Sequence, residues 1–599
     1  MIDMEMKNSY QAFGAVFADM RRAQNITQGA LAKKLMTGRA ISKLEQFGTL
    51  PDPLVFDVLI RRLGASTQFF MTMLTEREYE YLSWKEDILK KIEAGSIQAS
   101  DWDSEMAKAR QIHEGLQAQF AEFWKGYTLC DTEMMERAIA RTVTGYPGPL
   151  PADQCVSTEE IMYMLLDLEK SMRSRPAQEV KAMLLSILRY METRCAQEEQ
   201  VKMYAKAVCL FGECAADKAE KFRFYKCALE LYRRQAVVTG MCDILSGLLR
   251  EGEQMKAAER EEYERELWAL MWVKQEFQIE EPSLMRGELN QQFCLLHEVL
   301  GAYRQERGLM IRDIDERVCS EKTYRALETG KRGAKKGTYQ SLAEYMEIPI
   351  GVYNAEIISD SYQDLALAAE IKNLLHRQQD EIAMYKLSEL EERLGDKVKI
   401  GQNAQFISSI RDIMQFEAGE ITLDEYQNRV EHAIRLTIPE WNINYGTHFY
   451  TEREMILVYY EAGIFRKKKD YDTAIRLLRM LWEQLEQSRV SLIHRSNEAL
   501  LINTLWKDLL TDVKDYDGAL EKVRIGMQLS FAAGNGAFLD ALALEPGWIM
   551  SVREEKLSDG QKLKCSNYFR SALYISRLYG RKGAQRCISR YCGENGIEL

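Results

Sequence analysis

The sequence predicts an all-α protein in which two short helical bundles are each followed by a long body of stacked helix pairs. Three observations predict it. Only 10 of the 599 residues are proline, so few helices need be interrupted. Apolar residues recur at the spacing of one helix face, as in Ile456–Tyr459/Tyr460–Gly463/Ile464 and Ala474–Leu477/Leu478–Leu481/Trp482–Leu485. Period-two alternation, the mark of half-buried strands, is scarce. At 46% apolar and 29% charged residues, the composition excludes a disordered, collagenous or low-complexity chain.

The first bundle is expected over residues 11–64. A helix from Gln11 to Gln24 turns Phe13, Val16, Phe17 and Met20 inward. Thr27, a good N-cap, opens a second helix, Thr27–Leu35, with Leu31 and Leu35 facing the core. The turn Met36-Thr37-Gly38 leads to a third helix through Ile41, Leu44 and Glu45, and Leu54, Val58, Leu59 and Leu63 close the bundle.

These residues carry a resemblance. Ile26-Thr27-Gln28-x-x-Leu31-Ala32-x-x-Leu35, followed by Arg39-Ala40-Ile41-Ser42-Lys43-Leu44-Glu45, resembles the helix-turn-helix of the Cro/phage-repressor (XRE) superfamily. Ala32 would let the second and third helices cross closely. The resemblance implies that the third helix enters the major groove of double-stranded DNA, with Thr37, Arg39, Ala40 and Lys43 at the outward positions. Gln28, at the second helix's N-terminus, could donate to a phosphate, and Arg21, Arg22, Lys33 and Lys34 would add attraction to the backbone.

Shifted by 283 residues, the bundle recurs without a gap. Phe13, Val16, Phe17 and Met20 fall on Leu296, Val299, Leu300 and Tyr303, Arg21 falls on Arg304, and Leu44-Glu45 falls on Leu327-Glu328. The second copy departs at Ile311 for Gln28, Asp315 for Ala32, Arg325 for Ser42 and Ser341 for Val58. A buried carboxylate at Asp315 would be costly unless paired. Ser320, Lys322 and Thr323 would face DNA, and the basic run Lys331-Arg332, with Lys335 and Lys336, suits phosphates. This copy could bind DNA weakly, read a different half-site, or serve only in packing.

The bodies repeat as well. Lys469-Asp-Tyr-Asp-Thr-Ala-Ile475 returns as Lys514-Asp-Tyr-Asp-Gly-Ala-Leu520, a polar turn before a helix whose Ala allows a close neighbour, and this resembles tetratricopeptide-type repeats. Both modules have a short turn before the third helix (Met36–Ala40 and Cys319–Thr323). With helical repeats behind them, they resemble the peptide-responsive RRNPP regulators of Gram-positive bacteria. The implied division is a helix-turn-helix at 1–66, a body at 67–290, a divergent module at 291–350 and a tetratricopeptide-like body at 351–599. The order suggests a tandem duplication, a pseudo-dimer in one chain that could pair again as a homodimer and whose two modules could read different half-sites. A signalling peptide or protein would bind the concave face of the bodies, near residues such as Tyr459, Tyr460, Asn503 and Trp506.

Charge fits that plan. The net charge is −11, yet residues 11–66 hold eight Lys/Arg against four Asp/Glu, and residues 294–349 ten against nine. An acidic body thus carries one basic module and a second with a local basic run. No stretch approaches a membrane span; Ala269–Val273 is soon broken by charge. The Asp3/Glu5 start has no export signal, so a cytoplasmic protein with twelve reduced cysteines is expected. Without GxxxxGK[ST], GxGxxG after a strand, GxSxG, HExxH or CxxC, neither a cofactor, a metal nor an enzyme is expected. The competing function is a protein-interaction scaffold whose modules no longer touch DNA.

Overall fold

The computed structural model describes residues 14–47, 53–108, 114–151, 154–253, 255–280, 292–314, 318–333, 336–348, 353–377, 379–443, 448–553 and 557–599. The architecture is all-α, as the spacing predicts, with stacked antiparallel helix pairs in both bodies. None of its described helices is long and apolar enough to cross a membrane. All twelve cysteines are free.

The repeated heptapeptides behave alike. Lys469 and Lys514 both take φ of 63°, and the following Asp470 and Asp515 cap helices Tyr471–Gln487 and Tyr516–Ala532 by accepting from the backbone N–H of Thr473 and Gly518 at 3.2 and 3.0 Å. Ala474 and Ala519 are fully buried where neighbouring helices approach.

The sequence reading missed a small sheet. Phe70–Leu74 pairs in parallel with Phe293–Leu295 and antiparallel with Tyr353–Ala355. All five residues of the central strand are buried, so it shows no alternation to read. Its register exposes the symmetry of the chain. Met71 lies opposite Asn354, and these positions differ by the same 283 residues that superpose the modules. In an antiparallel pair, only a residue on a two-fold axis faces its own counterpart.

The far end of the bodies repeats the sign. Val237 bridges Asn535, 298 residues on, which is also the offset between the caps Asp217 and Asp515 of the matching 17-residue helices Lys218–Arg234 and Tyr516–Ala532. Helices Ala257–Glu276 and Asp559–Leu578 then cross antiparallel, with Trp268 against Tyr574 at 6.0 Å and Trp272 against Tyr568 at 5.0 Å. The two halves therefore face each other about an approximate two-fold axis.

Each module packs on the opposite half as well as on its own. Val16, Phe17, Leu31, Ile41, Leu44 and Leu59 share one core with Leu365, Ile371, Leu387 and Phe406. Asp19 accepts from Ser361 Oγ at 3.1 Å and Tyr362 N at 3.2 Å, at the start of helix Tyr362–His376. The second module packs on Met71 and Met73, and its His297 approaches Glu76 at 3.5 Å, at the start of the corresponding helix Glu76–Glu93. Each fully buried Leu, Ile or Phe contributes about 1.5–3 kcal/mol, against under about 1 kcal/mol for an exposed ion pair. Apolar seams therefore fix the modules.

Polar clasps set their orientation. Arg62 bonds Glu160 at 2.5 Å with both side chains buried, and Gly64 accepts from Ala196 N at 2.6 Å. Gly64 has φ +64°, and a Cβ there would stand 1.8 Å from the Arg194 carbonyl. Gly64→Ala is expected to destabilise the chain by at least about 2 kcal/mol, read by urea denaturation. A wild-type midpoint would refute the docking.

His448, in the second body, pairs with Glu306 of the second module at 2.8 Å and lies 3.7 Å from Glu454. Burial opposes its charge, but the two carboxylates outweigh it and raise its pKa from 6.5 to about 9. A raised folded-state pKa stabilises most below the unfolded value and fades as pH climbs through the folded one. The thermal midpoint should thus fall between pH 7 and pH 10, and His448→Gln should flatten that fall. Parallel profiles for the two proteins would contradict the clasp.

Candidate nucleic-acid interface

The first module is built around the corner between Gln28–Ala32 and Gly38–Phe47. Thr27 caps the first of these helices by accepting from Ala30 N, and Ala32, 1% exposed, lies at the crossing as expected. The second helix is shorter than the predicted Thr27–Leu35. Arg62 takes the carbonyls of Lys33 at 2.8 Å and Leu31 at 3.4 Å, and Lys34 adopts φ of 61° while its Nζ donates to Ala140 O at 2.6 Å. The last turn is thereby drawn toward the body instead of continuing as a helix.

The corner is clamped from inside. Arg21 bonds Glu45 through two nitrogens, at 2.5 and 2.9 Å, and donates to Ile26 O at 2.6 Å. Burial works against the Glu45 charge, but the bonds from Arg21 and Gln28 hold its carboxyl below the ordinary range. Arg21 is thus a structural clamp, which corrects its assignment to the DNA backbone. Lys34 is likewise engaged with the body, whereas Arg22 and Lys33 are exposed. Gln28 Nε2 donates to Glu45 at 2.8 Å, tying the second helix to the third.

The outward face carries Thr37, Arg39 and Lys43, all exposed, and Ala40, half-buried. Thr37 Oγ1 also accepts from Ala40 N at 3.3 Å, anchoring the first turn. Arg39 and Lys43, four residues apart, share one helix face. Phe47, 67% exposed, extends the helix beyond the expected residues.

The second module repeats the clamp. Arg304 bonds Glu328 at 2.9 and 2.7 Å and Leu309 O at 2.6 Å. The preserved Arg/Glu pair at the 283-residue offset was the sequence signal for it. Where the first module has a second helix, the described residues show a one-turn 3-10 segment, Ile311–Asp313. Asp315 and Lys335 lie outside the described residues, as does the side chain of Lys336. The third helix, Glu321–Glu328, is capped by Ser320, which accepts from Thr323 N at 3.3 Å. Ser320, Lys322, Lys331 and Arg332 are exposed, and Thr323 is half-buried. Glu321 and Arg325, which sequence reasoning left out of the site, stand exposed on the same helix, paired at 2.8 Å. Gly330 and Gly333 place the basic run beside Glu76 and Thr75.

Asn503, expected on the concave face, is fully buried, its amide donating to Lys522 O at 2.7 Å. Lys522 stands over the rings of Trp506 and Trp482 at 3.8 and 4.6 Å. Tyr459 and Tyr460 are only partly buried and pack against the second body's core.

No family model matches the chain, and neither does any curated protein. Among solved structures, the chain is similar to Bacillus thuringiensis PlcR in complex with the peptide PapR7 and DNA, with 14% identity and a TM-score of 0.33 over 49% of this chain and 98% of that one. It is also similar to the APC/C hetero-tetramer Cut9–Hcn1, with 14% identity and a TM-score of 0.24 over 86% of this chain and 96% of that one. Likenesses of this degree fix neither fold nor function.

Proposed function

We propose that this chain is a sequence-specific DNA-binding transcriptional regulator whose helical bodies bind a peptide or protein effector, and that it is not an enzyme. The observation that carries the reading is the exposed row Thr37, Arg39 and Lys43 at the front of Gly38–Phe47, on a helix that Arg21, Glu45 and Gln28 hold rigidly against its neighbours. A major groove admits one such helix, and cations on its N-terminal turns reach guanine O6 and N7. The apolar seams join each module to the opposite body, so an effector that shifts a body would also shift a reading helix.

A scaffold reading draws on the 3-10 segment Ile311–Asp313, which among the described residues stands where the first module has its second helix. The two readings part in a mobility-shift selection from a random duplex pool. A regulator retains a sequence-selected fraction against competitor DNA. A scaffold retains none.

A further inference from the structure

We infer that one chain is a complete two-headed reader, and that its DNA site consists of two unlike half-sites in inverted, not direct, orientation. This rests on the DNA-binding reading above. A tandem duplication alone leaves orientation open, since copies in series could follow one strand as a direct repeat. The structure closes that choice. Met71 faces Asn354, its own counterpart, and Val237 faces Asn535 at the other end of the molecule. The strands on that axis, Phe70–Leu74 and Tyr353–Ala355, follow the first and second module in the chain, and each module rests against the first helix of the opposite half. Heads related by a two-fold axis meet a duplex through inverted half-sites, because the duplex backbone has the same symmetry.

The heads are alike in frame and unlike in chemistry. The Arg21–Glu45 and Arg304–Glu328 clamps match bond for bond, so the third helices are held by the same internal brace. On the outer face, the first head carries Arg39 and Lys43, donors without a carboxylate among their helix neighbours at the front. At the same positions the second head carries Lys322 and Ala326, and it adds Glu321 and Arg325 where the first has Gly38 and Ser42. Arg and Lys select guanine, whereas a carboxylate accepts from cytosine N4. The first half-site is therefore guanine-directed, and the second places a cytosine contact beside a cation contact. One chain supplies both heads, so binding needs no second copy.

The test is sequencing of the fragments that the full-length chain retains from a random duplex pool, with the mass of the complex measured on one fragment. The expected result is two different motifs on opposite strands at fixed spacing, bound by one chain. Arg39→Ala with Lys43→Ala should erase conservation in one motif only, and Lys322→Ala with Arg325→Ala in the other only. All four side chains are exposed, so circular dichroism should show the variants folded. A single motif, two identical motifs, a direct repeat, or two chains per fragment would overturn the inference and leave the DNA-binding reading standing. An unenriched pool would overturn that reading itself.

Discussion

Glu160→Ala is expected to cost about 3–5 kcal/mol of stability, the penalty for stranding a buried charge. Arg62 is 1% exposed and Glu160 3% exposed. Without the carboxylate, the guanidinium's partners among the described residues are the Leu31 and Lys33 carbonyls. Glu160 also closes a capping box by accepting from Ser157 N at 2.6 Å, a contact worth about 1 kcal/mol. Glu160→Gln separates the two contributions, since an amide oxygen still caps but carries no charge. Burial opposes the Glu160 charge, yet Arg62 and its hydrogen bond hold the carboxyl below the ordinary range, so this stabilisation should vanish as pH falls through the acid region. An unfolding free energy from urea titration within about 1 kcal/mol of wild type for Glu160→Ala would show that the junction is not carried by this pair.

The second large effect is on DNA. Arg39→Ala with Lys43→Ala should weaken binding to a retained fragment by about 2–4 kcal/mol, roughly 30- to 1000-fold. Stability should change by no more than about 0.5 kcal/mol, because both side chains lie on the surface. That split between affinity and stability distinguishes a reading head from a packing element. If affinity stays within threefold of wild type in fluorescence anisotropy, Gly38–Phe47 is not the reading helix.

What was legible in the sequence follows from what local patterns encode. Thr27, Ala32, Ile41 and Leu44 play their expected parts because capping and 3.6-residue periodicity act within a few residues. The polar turns before helices Tyr471–Gln487 and Tyr516–Ala532 were readable for the same reason. The strand Phe70–Leu74 was not, since it is buried on both faces. Neither was the packing of each module against the opposite half. Periodicity says which face of a helix is buried, not what covers it, and Leu365 and Ile371 would look the same against any apolar partner. Arg21 was misassigned because a lysine or arginine reads as surface until its partner is known. Glu45 lies 24 residues away in the chain and meets Arg21 only once the corner has folded.

Salt dependence of DNA affinity tests the central claim most directly. Anisotropy titrations of a retained fragment with the full chain, from about 50 to 200 mM salt, should give log K against log salt with a slope steeper than about −3, and each exposed phosphate-facing cation removed should lower the slope by about 1. A flat line, or a slope unmoved by substituting Lys33, Lys331 and Arg332 together, would mean that these corners do not lie on a duplex.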